Sequence, residues 1–168
     1  MVDTKKENLT VNKLICERNE TIFIEEDMIV PDSKPDILSA INTSGNICIY
    51  KKELTDEKLK IDGSINTCVM YLADDAQDNI RGIELNIDFS KNLNAPNCNS
   101  NMLLETKFKI KNINCNVING RKINVKAEVE VLFKVYANQD IQFVNETINN
   151  QDIQMLKAEV TTNSLVGS

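Results

Sequence analysis

The chain is predicted to be all-β, an antiparallel β-sandwich or partly open barrel with one short helix near residues 35–41. Three observations predict it. Apolar and polar residues alternate with a period of two through several long runs, as half-buried strands require. An Asn-Gly dipeptide joins the two strongest of those runs, which is the shortest common hairpin signal. Helix-start signals occur in one brief stretch only.

Taken in chain order, that stretch comes first. Pro35-Asp36-Ile37-Leu38-Ser39-Ala40-Ile41 has a proline at the first helical position, an acid beside it and Gly45 a few residues on, so one or two helical turns are expected. Leu59, Ile61, Ile65, Val69 and Tyr71 then share one parity around Gly63, and Ile83, Leu85, Ile87 and Phe89 repeat the rhythm against Glu84, Asn86 and Asp88. Between residues 104 and 118 the parity changes. Phe108 and Ile110 face in with Lys107, Lys109 and Lys111 out, whereas Ile113, Cys115 and Val117 face in with Asn112, Asn114 and Asn116 out. A one-residue slip flips every side chain, so a β-bulge is expected near Lys111-Asn112. Asn119-Gly120 follows as a two-residue loop in which both residues tolerate positive φ. The clearest strand is 121–136, where Ile123, Val125, Ala127, Val129, Val131, Phe133 and Val135 occupy one parity and Asn124, Lys126, Glu128, Glu130 and Lys134 the other. Polar loops are expected at 55–57, 74–79 and 92–101.

Residues 157–166 line up without gaps on residues 6–15, with four identities (Lys157, Thr161, Asn163 and Leu165) and the apolar alternation in phase. This reads as the start of a second copy. A β-domain over residues 1–150 is therefore expected, with 151–168 opening a second repeat or a linker. The unit of about 150 residues lies in the usual domain range.

Composition narrows the function classes. The chain has 168 residues, 42% hydrophobic and 26% charged, with a net charge of −6, as a folded domain that a nucleic-acid backbone repels. It has no histidine, which removes the commonest general base and metal ligand. It also has no G-x-x-x-x-G-K-[ST], G-x-G-x-x-G or G-x-S-x-G motif. The acidic run from Asp74 to Asp78 lacks the oxygen spacing, central glycine and closing glutamate of an EF-hand and reads as a solvated turn. Glu25-Glu26 and the pair Glu128 and Glu130 sit on polar strand positions and read as solvent-facing charges rather than as an acid/base pair. No catalytic residue, cofactor or metal is expected. Five separated cysteines without a C-x-x-C pair argue against a disulfide framework or a zinc site. Cys115 is expected to be a buried small hydrophobe. Cys98, in a polar stretch, is expected to be buried as well, with an exposed thiol as the alternative. Neither an apolar leader nor a run of eighteen apolar residues occurs, so a cytoplasmic location is expected.

Two segments carry a resemblance. Ile29-Val30-Pro31-Asp32-Ser33-Lys34-Pro35-Asp36-Ile37-Leu38 and, after the central strands, Asn119-Gly120-Arg121-Lys122-Ile123-Asn124-Val125-Lys126-Ala127 resemble the SPOCS domain of spore-coat assembly proteins in endospore-forming bacteria. The resemblance runs from about residue 9 to residue 136, matching in strand rhythm more than in residues between the two segments. It is nearest in kind to the SipL-like morphogenetic proteins, which carry SPOCS-type units ahead of a C-terminal LysM domain. It implies a non-enzymatic scaffold domain of the mother cell that helps the coat assemble and encase the forespore. The implied partners are coat proteins, including the basement-layer ATPase SpoIVA, and adjacent repeats. Contact with SpoIVA is credited in the family largely to LysM, and this sequence reaches Ser168 without a LysM segment, so an N-terminal portion of a longer protein is expected.

For the site itself two readings stand side by side. Asp32, Lys34 and Asp36, with Arg121 and Lys122 beyond the hairpin, form a charged patch for a partner. Alternatively they are scaffolding, with Pro31 and Pro35 pre-setting φ, Asp32 or Ser33 bonding nearby backbone and Asp36 near a helix N-terminus. A rival function is a carbohydrate-binding module for peptidoglycan or cortex, which needs an exposed aromatic such as Tyr50, Tyr71 or Tyr136. Aromatics are only 5% of the chain and Trp is absent, which leaves little for a ring platform.

Overall fold

The computed structural model describes residues 3–74, 79–148, 158, 159 and 161. Six antiparallel strands, β1 (Asp3–Ile29), β2 (Ile37–Thr55), β3 (Lys58–Ala73), β4 (Ile80–Asn94), β5 (Leu103–Asn119) and β6 (Lys122–Ile148), form two three-stranded sheets. One sheet has the order β1-β6-β5, the other β2-β3-β4. They pack face to face as an open sandwich, with β2 alongside β5 on one side and a slighter approach of β1 to β4 on the other.

The central strands are the most apolar, because both of their neighbours and the facing sheet cover them. On β6 the side chains of Ile123, Val125, Val129, Val131, Phe133 and Val135 are fully buried, and on β3 so are Leu59, Ile61, Ile65, Val69 and Tyr71. Burying side chains of this size stabilises by about 1.5–3 kcal/mol each. Ile83 and Ile87 of β4, Ile22 and Ile24 of β1 and the half-buried Phe108, Ile113 and Cys115 of β5 complete one continuous core. The expected bulge is present, since the β5–β6 register shifts between Ile110 and Asn112 and the parity of β5 changes there. Cys98 is buried in the β4–β5 connection. Burial, with Cys16 beside it, pushes its thiol up to about 11. Cys115 is half-buried, and burial raises its thiol too.

The expected helix over 35–41 is not formed. Residues 31–34 make a turn, closed by the Lys34 N–H on the Pro31 carbonyl at 2.9 Å, and the chain is strand from Ile37 onward. Register shifts between Ile37 and Ser39 and between Ala40 and Asn42 insert extra residues, so that the inward positions are Ile37, Ala40 and Thr43. That spacing of three imitates a helical face, although its cause is a doubly bulged strand. The Asn-Gly hairpin exists, but its loop lies one residue further on. Asn119 still pairs with Lys122, leaving Gly120 and Arg121 as the turn, and the Asn119 side chain accepts from the Arg121 N–H at 2.9 Å. Asn119 is not among the positive-φ residues, which are Glu57 and Asn97. The segment matching residues 6–15 lies outside the described residues except for Ala158, Glu159 and Thr161, which are exposed and in no strand; residues 75–78 of the acidic run also lie outside them.

Two connections cross between the sheets, and each docks on a hairpin of the sheet it leaves. The β1–β2 connection meets the β5–β6 turn through Val30 N–H to Arg121 C=O (2.9 Å) and Ile37 N–H to Gly120 C=O (2.8 Å). At the other pole, the β4–β5 connection meets the β2–β3 turn through Ala95 N–H to Glu57 C=O (2.8 Å) and Glu57 N–H to Cys98 C=O (3.0 Å). Val30 and Ala95, the first residues of the two crossings, are fully buried.

Two positions in β3 test this packing. Thr67 is buried with its hydroxyl lacking a hydrogen-bond partner, so Thr67→Val is expected to stabilise by about 1 kcal/mol. A Cβ at Gly63 would stand 2.5 Å from the Cys48 carbonyl oxygen and 3.0 Å from the Phe89 ring, so Gly63→Ala is expected to destabilise by roughly 2 kcal/mol. Urea unfolding midpoints of the two variants, moving in opposite directions, check both.

Candidate functional site, a charged clasp at one pole

The fold brings the two sequence signatures into contact. The first forms the end of β1, the crossing connection and the start of β2, while the second forms the β5–β6 turn and the start of β6. Arg121 joins them. One of its terminal nitrogens, Nη1, donates to the Lys34 carbonyl (2.8 Å) and to Asp36 Oδ1 (3.2 Å), and the other, Nη2, donates to the Val30 carbonyl (2.9 Å) and to Asp32 Oδ1 (2.9 Å). Two of those acceptors are backbone carbonyls of a connection that has no ladder to satisfy them. The planar guanidinium fork can reach all four.

The neighbouring residues shape this arrangement. Asp36 packs against Gly120, where a Cβ would lie 2.9 Å from Asp36 Oδ2, so the glycine is needed for this close approach. Beneath the connection the buried Tyr71 of β3 donates its hydroxyl proton to the Pro35 carbonyl at 3.3 Å, and the Asp74 N–H bonds the Asp36 carbonyl at 2.9 Å. Sequence reasoning missed the tyrosine's role because Tyr71 reads simply as one apolar position in an alternating strand. It gave Gly120 a turn function only.

Of the five predicted site residues, four are brought together and one stands apart. Arg121, Asp32 and Asp36 form the ion-paired cluster, and Lys34 contributes its carbonyl to it. The Lys34 side chain is exposed and makes no ion pair among the described residues. The Asp32 side chain is fully exposed, Asp36 half so, and Arg121 is about one-third exposed (34%). Asp36 lies in an extended lead-in to β2 and not at a helix N-terminus. Lys122 turns to the outer face of the β1-β6-β5 sheet and pairs with Asp27 at 2.8 Å.

Lys122 belongs to a ladder of opposite charges along that outer face. Lys126 pairs with Glu25 (2.9 Å), Lys134 with Glu17 (3.1 Å) and Lys111 with Glu130 (3.4 Å). Lys126 and then Asn124 hold the Glu25 carboxyl below its ordinary range, Lys122 and then Asn124 do so for Asp27, and Asn19 with Lys111 does so for Glu130. Among the described residues no group of three or more His, Cys, Asp or Glu is placed to hold a metal ion. No helix of the described residues is long and apolar enough to cross a membrane.

Residues 36–118 match the family model described as SipL, SPOCS domain. Those residues are similar to a SPOCS domain. The match begins inside the first signature and stops just before the second, so it takes in the β2-β3-β4 sheet and nearly all of β5. The hydrogen-bonded unit is longer at both ends than the matched segment, because β6 pairs with β5 along the length of β5 and β1 pairs with β6. No match was found to a curated protein or to a solved structure.

The clasp and the charge ladder make separate predictions. Arg121→Ala is expected to destabilise the domain by about 2 kcal/mol, since it leaves the Val30 and Lys34 carbonyls without their donor. Asp32→Ala, at a fully exposed position, is expected to leave the denaturation midpoint where it is. For pH, Glu25, Asp27 and Glu130 have folded values lowered from 4.5, 3.8 and 4.5. Their contribution is present above those unfolded values and lost as pH falls through the lower folded ones. Thermal midpoints are therefore expected to hold near neutral pH and to drop below about pH 4. Added salt should shrink that drop because the pairs are exposed.

Proposed function

We propose that this SPOCS-like domain is a non-enzymatic docking module of a spore-coat morphogenetic scaffold. It acts in the mother-cell cytoplasm at the forespore surface, where it helps the coat assemble and encase the spore. The SPOCS family ties the chain to sporulation. The observation that supports docking through this pole is the division of labour within the clasp. Arg121 grips backbone carbonyls, while the carboxylate of Asp32, paired with Arg121 through one oxygen yet fully exposed, and the Lys34 side chain face solvent on the same short connection. A short hydrogen-bonded turn that displays one acid and one base suits an interface chosen by charge complementarity. Its partners in this reading are coat proteins and the next repeat, while the family's contact with SpoIVA is credited largely to LysM.

A carbohydrate-binding reading has less support. Tyr71 is buried and Tyr136 is half-buried, leaving Tyr50 as the exposed tyrosine beside a shallow groove lined by Ile49, Lys51, Lys52, Thr106 and Phe108.

Coat proteins recovered from sporulating-cell lysate by the wild-type chain, and identified by mass spectrometry, provide the test. Lys34→Glu and Asp32→Lys are expected to lose at least one such identified coat protein by tenfold or more while unfolding as the wild type does. Capture unchanged by both substitutions would remove this pole as the docking surface. A spectral shift on adding peptidoglycan fragments, abolished by Tyr50→Ala, would favour the carbohydrate reading instead.

A further inference from the structure

At the pole away from the clasp, β1 and β6 leave the sandwich. β5 begins at Leu103, opposite Tyr136, so β6 beyond Tyr136 pairs only with the first part of β1, as far as Ile148 opposite Asp3. No register shift interrupts this ribbon between Lys6 and Leu14, so parity alone assigns its faces. One face is a polar ladder. Gln142 donates to Asn8 (3.2 Å), the Thr10 hydroxyl to Asp140 (2.6 Å) and Asn12 to Asn138 (3.1 Å). The other face carries an apolar centre, Leu9 opposite Ile141, with Phe143 opposite Glu7 on one side of it and Val11 opposite Gln139 on the other.

That apolar face continues the core side of β6. Ile141 and Phe143 share the parity of Val131, Phe133 and Val135, which are fully buried, yet they are 43% and 42% exposed. The ribbon has outrun the sheet that would cover it. Isolated two-stranded ribbons are marginal in water, and an apolar side left open is a contact surface awaiting an occupant.

We propose that the occupant is the same ribbon of a second unit, apolar face against apolar face with the two tips side by side. In the scaffold this is the following repeat, so the inference gives the adjacent-repeat partner of the proposed function its surface. The chain beyond β6 supports this choice. Residue 157 matches residue 6, so by sequence Gln154 is the counterpart of Asp3, and residues 149–153 separate Ile148 from it. Five extended residues reach about 17 Å at most, while packed sheets stand about 10 Å apart. The link can thus place tip beside tip, but it cannot carry the second ribbon to the far end of the first. A two-fold along the strand direction then sets β1 of each ribbon over β6 of the other, so that Leu9 meets Ile141 of the second unit. Glu7 and Lys13 flank Leu9 and Val11 on that face and lie over Phe143 and Ala137 of the second unit, so no like charges are opposed. A face of a few side chains falls well short of the roughly 800 Å² per partner that a stable free complex buries. The contact is therefore weak between separate chains and becomes firm when a short link supplies millimolar effective concentration.

Sedimentation equilibrium of the 168-residue chain, up to about 1 mM so that weak contacts are populated, tests this together with amide NMR shifts. The expected result is reversible dimer formation, with concentration-dependent shifts at residues 7–13 and 137–143. The double variant Ile141→Ser/Phe143→Ser is expected to weaken association at least tenfold with an unchanged unfolding midpoint, and Leu9→Lys is expected to do the same from the other strand. A wild-type chain that remains monomeric over the whole range, or variants that associate as the wild type does, would overturn the proposal. Because the clasp lies at the opposite pole, coat-protein capture by Lys34 and Asp32 stands or falls separately.

Discussion

A sandwich in which the first strand joins the last cannot close without carrying the chain from one sheet to the other, and here the Arg121 guanidinium holds the first of those crossings in place. Residues 30–36 run over the end of the core with prolines at 31 and 35, which fix φ and supply no N–H. Their carbonyls therefore need donors from elsewhere. Arg121 serves Val30 and Lys34, and Tyr71 serves Pro35. Each donor comes from a different sheet, so the crossing is tied to both. The second crossing, which begins at the buried Ala95, is tied by backbone bonds to the Glu57 turn alone. At the first pole a side chain does what backbone does at the other.

Much of this architecture was legible because strand periodicity is strong wherever one face is buried. The alternation from Ile123 to Val135 marked the central strand of one sheet, and Ile61 to Tyr71 that of the other. The reversal of parity at Lys111 located a bulge to within a residue, since only an inserted residue changes which side chains face in. The same logic misled at residues 37–43. Two bulges close together replaced the period of two by a period of three, and a proline with a neighbouring acid supplied what resembled a helix start. Local sequence does not distinguish those cases. The deciding fact is non-local, namely that the Ile37 N–H and the Asp36 carbonyl are already engaged by Gly120 and Asp74.

The site was legible in membership more than in role. Asp32, Lys34, Asp36 and Arg121 were singled out from two segments far apart in sequence, and the fold does bring them together. Which atoms would matter was hidden, because an arginine that grips main-chain carbonyls has the same residue identity as one that grips a partner. Lys122 went to the outer face for a reason parity could have supplied. It is an even-numbered residue of β6, on the side of Asn124 and Lys126, whereas Arg121 precedes the strand and is free to turn back over the crossing.

The extent of the matched family segment and the extent of the folded unit differ, and the difference follows from how the core is built. Residues 36–118 contain one complete sheet and a single strand of the other. Within that segment Phe108, Ile113 and Cys115 would face the core from an unpaired β5, and the apolar side of β2-β3-β4 would be mostly open. β6 supplies the densest row of fully buried side chains in the molecule, and β1 in turn covers the edge of β6 that β5 does not. In strands whose core positions are chiefly β-branched, exchanging Val and Ile costs about 1 kcal/mol, so the alternation outlasts the exact residue. β6, on which burial depends most, is recognised by its alternation and by its pairing with β1 and β5 on either side.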